Sequence, residues 1–121
     1  MDRRRRLVRS ADFRRARVQG RSWAHPLLVL VAVRNELPHS RFGFLVSKRI
    51  GKAVVRNRVK RWMREAARGH LEQVDPGWDI VLIARSPLVD AGYWATTHAL
   101  DGLLRRAGIL TAGGTARDGD K

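Results

Sequence analysis

The chain has 121 residues, of which 44% are apolar, enough for the core of one compact domain. It contains no cysteine, which excludes a disulfide framework and a thiolate metal site, and no apolar run approaches the roughly 20 residues of a membrane span. Its 25 Lys and Arg stand against 11 Asp and Glu, a net charge of +14, so a polyanionic partner is expected to neutralise it.

The N-terminus, Met1-Asp2-Arg3-Arg4-Arg5-Arg6, lacks the apolar segment a secretory signal needs, and a soluble cytoplasmic protein is the expectation. Residues 1–6 read as a basic arm or a frayed end. Ser10 as N-cap, Asp12 in the first turn and Gly20 as terminator predict a short helix running through Arg14 to Val18. Leu27 to Val33 and Arg41 to Val46 read as two strands joined by a hairpin-type loop around Pro38. In the second, alternation puts Phe42, Phe44 and Val46 on one face and Arg41, Gly43, Leu45 and Ser47 on the other. Val54 to Arg68 is the clearest helix, because Val55, Val59, Trp62, Met63 and Ala66 fall on one stripe at helical spacing. After the turn at Asp75-Pro76-Gly77, Ile80 to Ala84 reads as a buried strand closed by Pro87. A last helix is expected from Asp90 or Thr96 to Gly108, with Trp94, His98, Leu100, Leu103, Leu104 and Ala107 as its apolar positions. The domain is expected to span residues 1–110, and the Gly-rich stretch 111–121 to be a disordered tail. The order is helix, two or three strands, helix, strand, helix, a small α+β sandwich with helices packed on one sheet.

The charge is unevenly placed. Met1 to Arg68 holds 20 basic and 4 acidic residues, and Gly69 to Lys121 holds 5 and 7, so the first half meets the polyanion. Arginine supplies 21 of the 25 cations, and its planar fork suits phosphate contacts and base stacking, which favours nucleic acid over a membrane. On the long helix Arg56, Asn57, Lys60, Arg61, Arg64 and Arg68 gather opposite the apolar stripe, Arg58 flanks the stripe, and Arg49 and Lys52 precede it. Lys52 and Arg56 also oppose the positive end of the helix dipole, a placement that an external anion explains. Phe13 and the Arg41, Leu45 and Ser47 strand face form a candidate groove for single-stranded nucleotides. The four Trp are read as packing residues, and His25, His39, His70 and His98 show no ligand spacing. The motifs of an autonomous catalyst are missing: there is no carboxylate cluster, HExxH pair, GxSxG elbow or phosphate-cradling glycine loop. A general RNA-binding module of the ribosomal or chaperone kind, a protein-only nuclease and a helix-turn-helix protein are the rival readings.

Arg56-Asn57-Arg58, within Gly51-Lys52-Ala53-Val54-Val55-Arg56-Asn57-Arg58-Val59-Lys60-Arg61-Trp62-Met63-Arg64-Glu65, resembles the RNR motif of the bacterial ribonuclease P protein family. The likeness extends through Asp12-Phe13, Gly20, the stretch Arg41 to Gly51 and the stretch Asp79 to Arg85. It implies the order α-β-β-β-α-β-α, with helices on a central mixed sheet, a left-handed βαβ crossover and a fold like that of a ribosomal protein domain. It implies that Arg56, Asn57, Arg58, Lys60, Arg61, Arg64 and Arg68, with Lys52 and Arg49, bind a catalytic RNA. A leader-binding groove for precursor tRNA would take in Phe13, Arg17, Val31, Leu45, Ser47 and Lys48. Arg17 and Val31 stand where family members often carry aromatics, so leader preference does not follow. The implied activity is removal of the tRNA 5′ leader by an endoribonuclease that leaves a 5′-phosphate. The RNA would be the catalyst, Mg²⁺ would be held mainly by RNA and substrate, with Asn57 a candidate to help position a hydrated metal at the interface, and no protein residue would be catalytic. Neither a membrane nor a small-molecule substrate is implied.

Overall fold

The computed structural model describes residues 2–111. Its elements are α1 (Ser10–Gln19), β1 (Arg21–Ala24), β2 (Leu28–Arg34), β3 (Arg41–Leu45), α2 (Ala53–His70), β4 (Trp78–Ala84) and α3 (Gly92–Ala107). The fold is α+β in the expected order. The strands form one mixed sheet in the order β1-β2-β4-β3, antiparallel except for the parallel β3–β4 pair that α2 connects.

Burial explains this order. β2 and β4 are continuous apolar runs, and such strands belong where both faces are covered. They pair along their whole length, from Leu28 opposite Ala84 to Arg34 opposite Trp78. The expected hairpin between β2 and β3 is therefore absent: β4 is inserted between them, and β3, which carries Arg41 and Gly43, lies to its other side. Alternation then divides the core into two. Leu28, Leu30, Phe42, Ile80 and Leu82 point to α2 and α3, while Val31, Val81, Leu45 and Ile83 point to α1.

α2 buries Val59, Met63, Ala66 and Ala67, with Val55 and Trp62 packed at the margin, which is the stripe read from sequence. Two helix starts differ from expectation. α1 begins at Ser10 itself, because the carbonyl of Arg9 accepts the first bonds, from Asp12 and Phe13 at 3.1 and 3.3 Å, and Arg9 is the N-cap. α3 begins at Gly92, and its buried positions are Thr96, Ala99, Leu100, Leu103 and Leu104. Thr96 is admitted to the core because its hydroxyl donates to the Gly92 carbonyl at 2.8 Å. Trp94, expected inside, is consequently 79% exposed, and His98 is exposed with it. At the other end Gly108 takes a left-handed φ of 72°, and the Gly108 and Ile109 N–H groups close on the Arg105 and Leu104 carbonyls.

Both ends of the described chain are bound to the sheet side of the fold. Arg3–Arg5 form a 3-10 turn, Arg6 bridges Phe42 in parallel, and the Leu7 N–H donates to the Phe42 carbonyl at 2.7 Å, covering the outer edge of β3. After α3, Leu110 bridges Val74 and the Thr111 N–H donates to the Gln73 carbonyl at 2.7 Å. The remainder of the expected tail, 112–121, lies outside the described residues. No described helix is long and apolar enough to cross a membrane.

Candidate nucleic-acid interface

The long helix presents charge because its other side is committed to the core. With Val59, Met63 and Ala66 fully buried, the 3.6-residue period turns Asn57, Arg58 and Arg61 outward and leaves Arg56, Lys60 and Arg64 half-buried at the flanks. Arg49 and Lys52 continue the exposed set ahead of the helix, and Arg68 ends it. Lys52 is the N-cap residue, and its side chain makes no capping bond. Local contacts splay the cations rather than neutralise them. Arg56 Nε donates to the Gly51 carbonyl at 3.1 Å, and the Arg58 guanidinium lies 5.6 Å from the centre of the Trp62 ring. Glu65 pairs with Arg68, whose hydrogen bond and charge hold that carboxyl below its ordinary value. Among the described residues, Arg49, Lys52, Arg56, Arg58, Lys60, Arg61 and Arg64 form no ion pair. Such a row of uncompensated cations on a rigid rod is suited to a phosphate backbone.

On the opposite face of the sheet a groove of about 730 Å³ runs between α1 and the end of β3. Of the residues read from sequence as a groove, Phe13, Arg17 and Leu45 line it, together with Val8, Ser10, Arg14 and Val18. Phe13 is half-buried because β3 has a glycine beneath it: a Cβ on Gly43 would lie 2.6 Å from the ring. Three expected groove residues are placed elsewhere. Val31 is 6% exposed and lies under α1 with Ala16 and Val81, in the core that forms the groove's foundation. Ser47 and Lys48 are exposed just past the end of β3 and are not among the lining residues. Sequence reasoning misses Arg14 and Val18, although their spacing of four residues, beside Phe13 and Arg17, is a usable signal.

Arg41 shares the groove face of β3 with Leu45 but does not line the groove; Asp79 on β4 engages it beneath α1, with Asp12 of α1 at 3.6 Å. Asp79 is fully buried and accepts from Arg41 Nε and a terminal nitrogen at 2.9 and 2.8 Å, from Arg15 at 2.6 Å and from Asn35 at 2.8 Å. Burial by itself raises this carboxyl's pKa and is the largest single effect. The hydrogen bonds from Arg41 and Asn35 and the charges of Arg41 and Arg15 together outweigh it and hold the pKa below the ordinary 3.8. The cluster ties α1, which walls the groove, to β3 and β4.

A metal ion has no evident place on this surface. Among the described residues no group of three or more His, Asp or Glu could hold one, and the carboxylate of α2, Glu65, is engaged by Arg68. The geometry is that of a binding surface: a charged rod and an aromatic-edged groove.

The family model described as Ribonuclease P matches residues 1–108. The ribonuclease P protein component of Roseiflexus castenholzii is 44% identical over 106 residues, 87% of this chain and 87% of its own length. That of Clostridioides difficile is 39% identical over 104 residues, 85% of this chain and 91% of its own. Among solved structures, the Staphylococcus aureus RNase P protein superposes with a TM-score of 0.81 at 34% identity, covering 88% of this chain and 98% of that one. The Thermotoga maritima RNase P protein gives a TM-score of 0.76 at 33% identity, covering 84% and 96%.

Proposed function

The chain belongs to the ribonuclease P protein family, and from that premise we propose that it is the protein subunit of a ribonuclease P holoenzyme that removes the 5′ leader of precursor tRNA. The observation that carries this reading is the division of labour in α2, whose buried stripe and cationic face, unpaired apart from Arg68, belong to one rigid element. The cationic face, Arg49 and Lys52 through Arg68, docks on the catalytic RNA. The groove beside Phe13, Arg17 and Leu45 receives the leader as an extended single strand, with Phe13 as its stacking edge.

In this reading the protein is not the catalyst. The RNA cleaves one phosphodiester to leave a 5′-phosphate, with Mg²⁺ bound by RNA and substrate. Among the described residues no group of three or more His, Asp or Glu could hold a metal ion, and the contribution of this chain is electrostatic and positional. Neutralising phosphates lets two polyanions approach each other, and holding the leader turns a floppy strand into an oriented one. The holoenzyme then works at lower Mg²⁺ than the RNA alone.

The test is cleavage of precursor tRNA at low Mg²⁺ by a ribonuclease P RNA with and without the protein, with the protein alone as control. Stimulation is expected only when both are present. Cleavage by the protein alone would make it a nuclease, and lack of stimulation of its cognate RNA would return it to a general RNA-binding module.

A further inference from the structure

The basic N-terminus is not free-standing, and its placement along β3 gives Arg6 a particular position. Arg6 Nε is buried and has no hydrogen-bond partner, the one buried side-chain nitrogen or oxygen of that kind among the described residues. A buried guanidinium N–H left unpaired costs free energy, and a group of this kind calls for an acceptor that completes it. Arg6 lines a recess of about 290 Å³ together with Lys60 and Arg64 of α2, and with Val8, Phe13 and Phe44. That is roughly ten water volumes, at about 30 Å³ each.

The recess contains three cations and no acid among its lining residues. Among the described residues none of the three forms an ion pair. Like charges brought together from positions so far apart in sequence repel one another, and a shared anion relieves that repulsion while accepting from Arg6 Nε. Val8 and Phe13 line both this recess and the groove under α1, so the two spaces adjoin around the edge of β3.

We infer that this recess is a phosphate site, in which Arg6, Lys60 and Arg64 share one backbone phosphate of RNA at the point where the groove meets the cationic face of α2. The inference rests on the RNA-subunit reading and adds to it a residue outside α2 and a junction between its two surfaces. The N-terminal segment then acts as the wall that makes the crossing.

The experiment uses full-length protein, catalytic RNA and precursor tRNA, with binding measured over a salt series for Arg6→Gln, Arg64→Gln and the double variant. One phosphate shared by three cations requires each single change to weaken binding, the two losses to be non-additive in the double variant, and the log-log salt slope to fall there by no more than about 0.7 to 0.9, the share of a single phosphate. A fall of twice that amount in the double variant, or an unaltered affinity in Arg6→Gln, overturns the inference. Should Arg6→Gln fold poorly, the unaltered protein is titrated with inorganic phosphate at fixed ionic strength while the Arg6 Nε–H resonance is followed. A saturable shift that Arg64→Gln abolishes is expected, and an unmoved resonance overturns the site. Repeating the salt series with catalytic RNA alone, and with leaderless tRNA, assigns the phosphate to the catalytic RNA or to the leader, either of which supports the site. Arg56→Ala with Arg58→Ala is the control: if that pair keeps the full slope, the RNA-subunit reading has failed, whereas a flattened slope there beside an unaltered affinity in Arg6→Gln rejects this site alone.

Discussion

Asp79 shows how one residue can govern a surface it does not reach. Its carboxylate is buried beneath α1 and is made tolerable only by Arg15, Arg41 and Asn35. Asp79→Ala leaves two guanidinium groups without their partner, and a loss of about 3–5 kcal/mol is expected in urea unfolding. Because its folded pKa is depressed, the unfolded state takes up the proton first as pH falls. The stability it contributes is complete above the ordinary 3.8 and is lost as pH drops through the lower folded value. A pH series of unfolding midpoints should show that acid loss in the parent and a much smaller one in Asp79→Ala. Glycine is required in two places for unequal reasons. A Cβ on Gly20 would lie 2.4 Å from the Ala16 carbonyl oxygen and 2.8 Å from that of Ala32, both backbone atoms, whereas one on Gly43 would meet the Phe13 ring. Gly20→Ala should therefore lower the melting temperature more than Gly43→Ala, each within about 1–3 kcal/mol. Gly43→Ala should instead weaken leader binding, by displacing Phe13. Equal melting temperatures would contradict the distinction.

Among the elements, α2 carries the clearest conflict between stability and function. Its first turn has no acid, and its N-cap is Lys52, with extended backbone angles suited to a capping side chain. Lys52→Asp supplies both the missing cap and a charge that complements the helix dipole, and a gain of about 1 kcal/mol in urea unfolding is expected. The same change should weaken binding to the catalytic RNA, because a cation of the docking face becomes an anion. A variant that gained stability with undiminished affinity would remove Lys52 from the interface. β3 shows the complementary case: a short strand with a glycine in its middle accepts the N-terminal segment on its outer edge, and that cover protects an otherwise open edge.

For the whole molecule the distribution of charge matters more than its total. The cations are concentrated in residues 1–68 and the fold brings them to α2, α1 and the N-terminal segment, whereas α3 and the C-terminal half carry a balanced surface. Binding should be steeply salt dependent. Arg56→Ala with Arg58→Ala should flatten the log-log salt slope by about 0.7 to 0.9 for each phosphate that is no longer neutralised. The melting transition should stay in place, since neither side chain belongs to the core. An unchanged slope, read from fluorescence anisotropy with labelled catalytic RNA, would refute the assignment of that face.

The sequence by itself determined the elements that repeat a strong local pattern. The stripe Val55, Val59, Met63 and Ala66 specified α2 and, by the helical period, which cations it would expose; the alternation in Phe42, Gly43, Phe44 and Leu45 specified the faces of β3. It also carried the family resemblance, through Arg56-Asn57-Arg58 and its flanks. What it left undecided depends on interactions between residues distant in the chain. That β4 lies between β2 and β3, that Asp79 engages Arg41 and Arg15 together, and that Arg6 meets Lys60 and Arg64 are decided by which surfaces cover one another. Trp94 has the apolar character of a core residue, yet the tertiary packing chose Thr96 instead, because a hydroxyl that bonds its own helix is no burden inside and a large ring at position 94 faces away from the sheet.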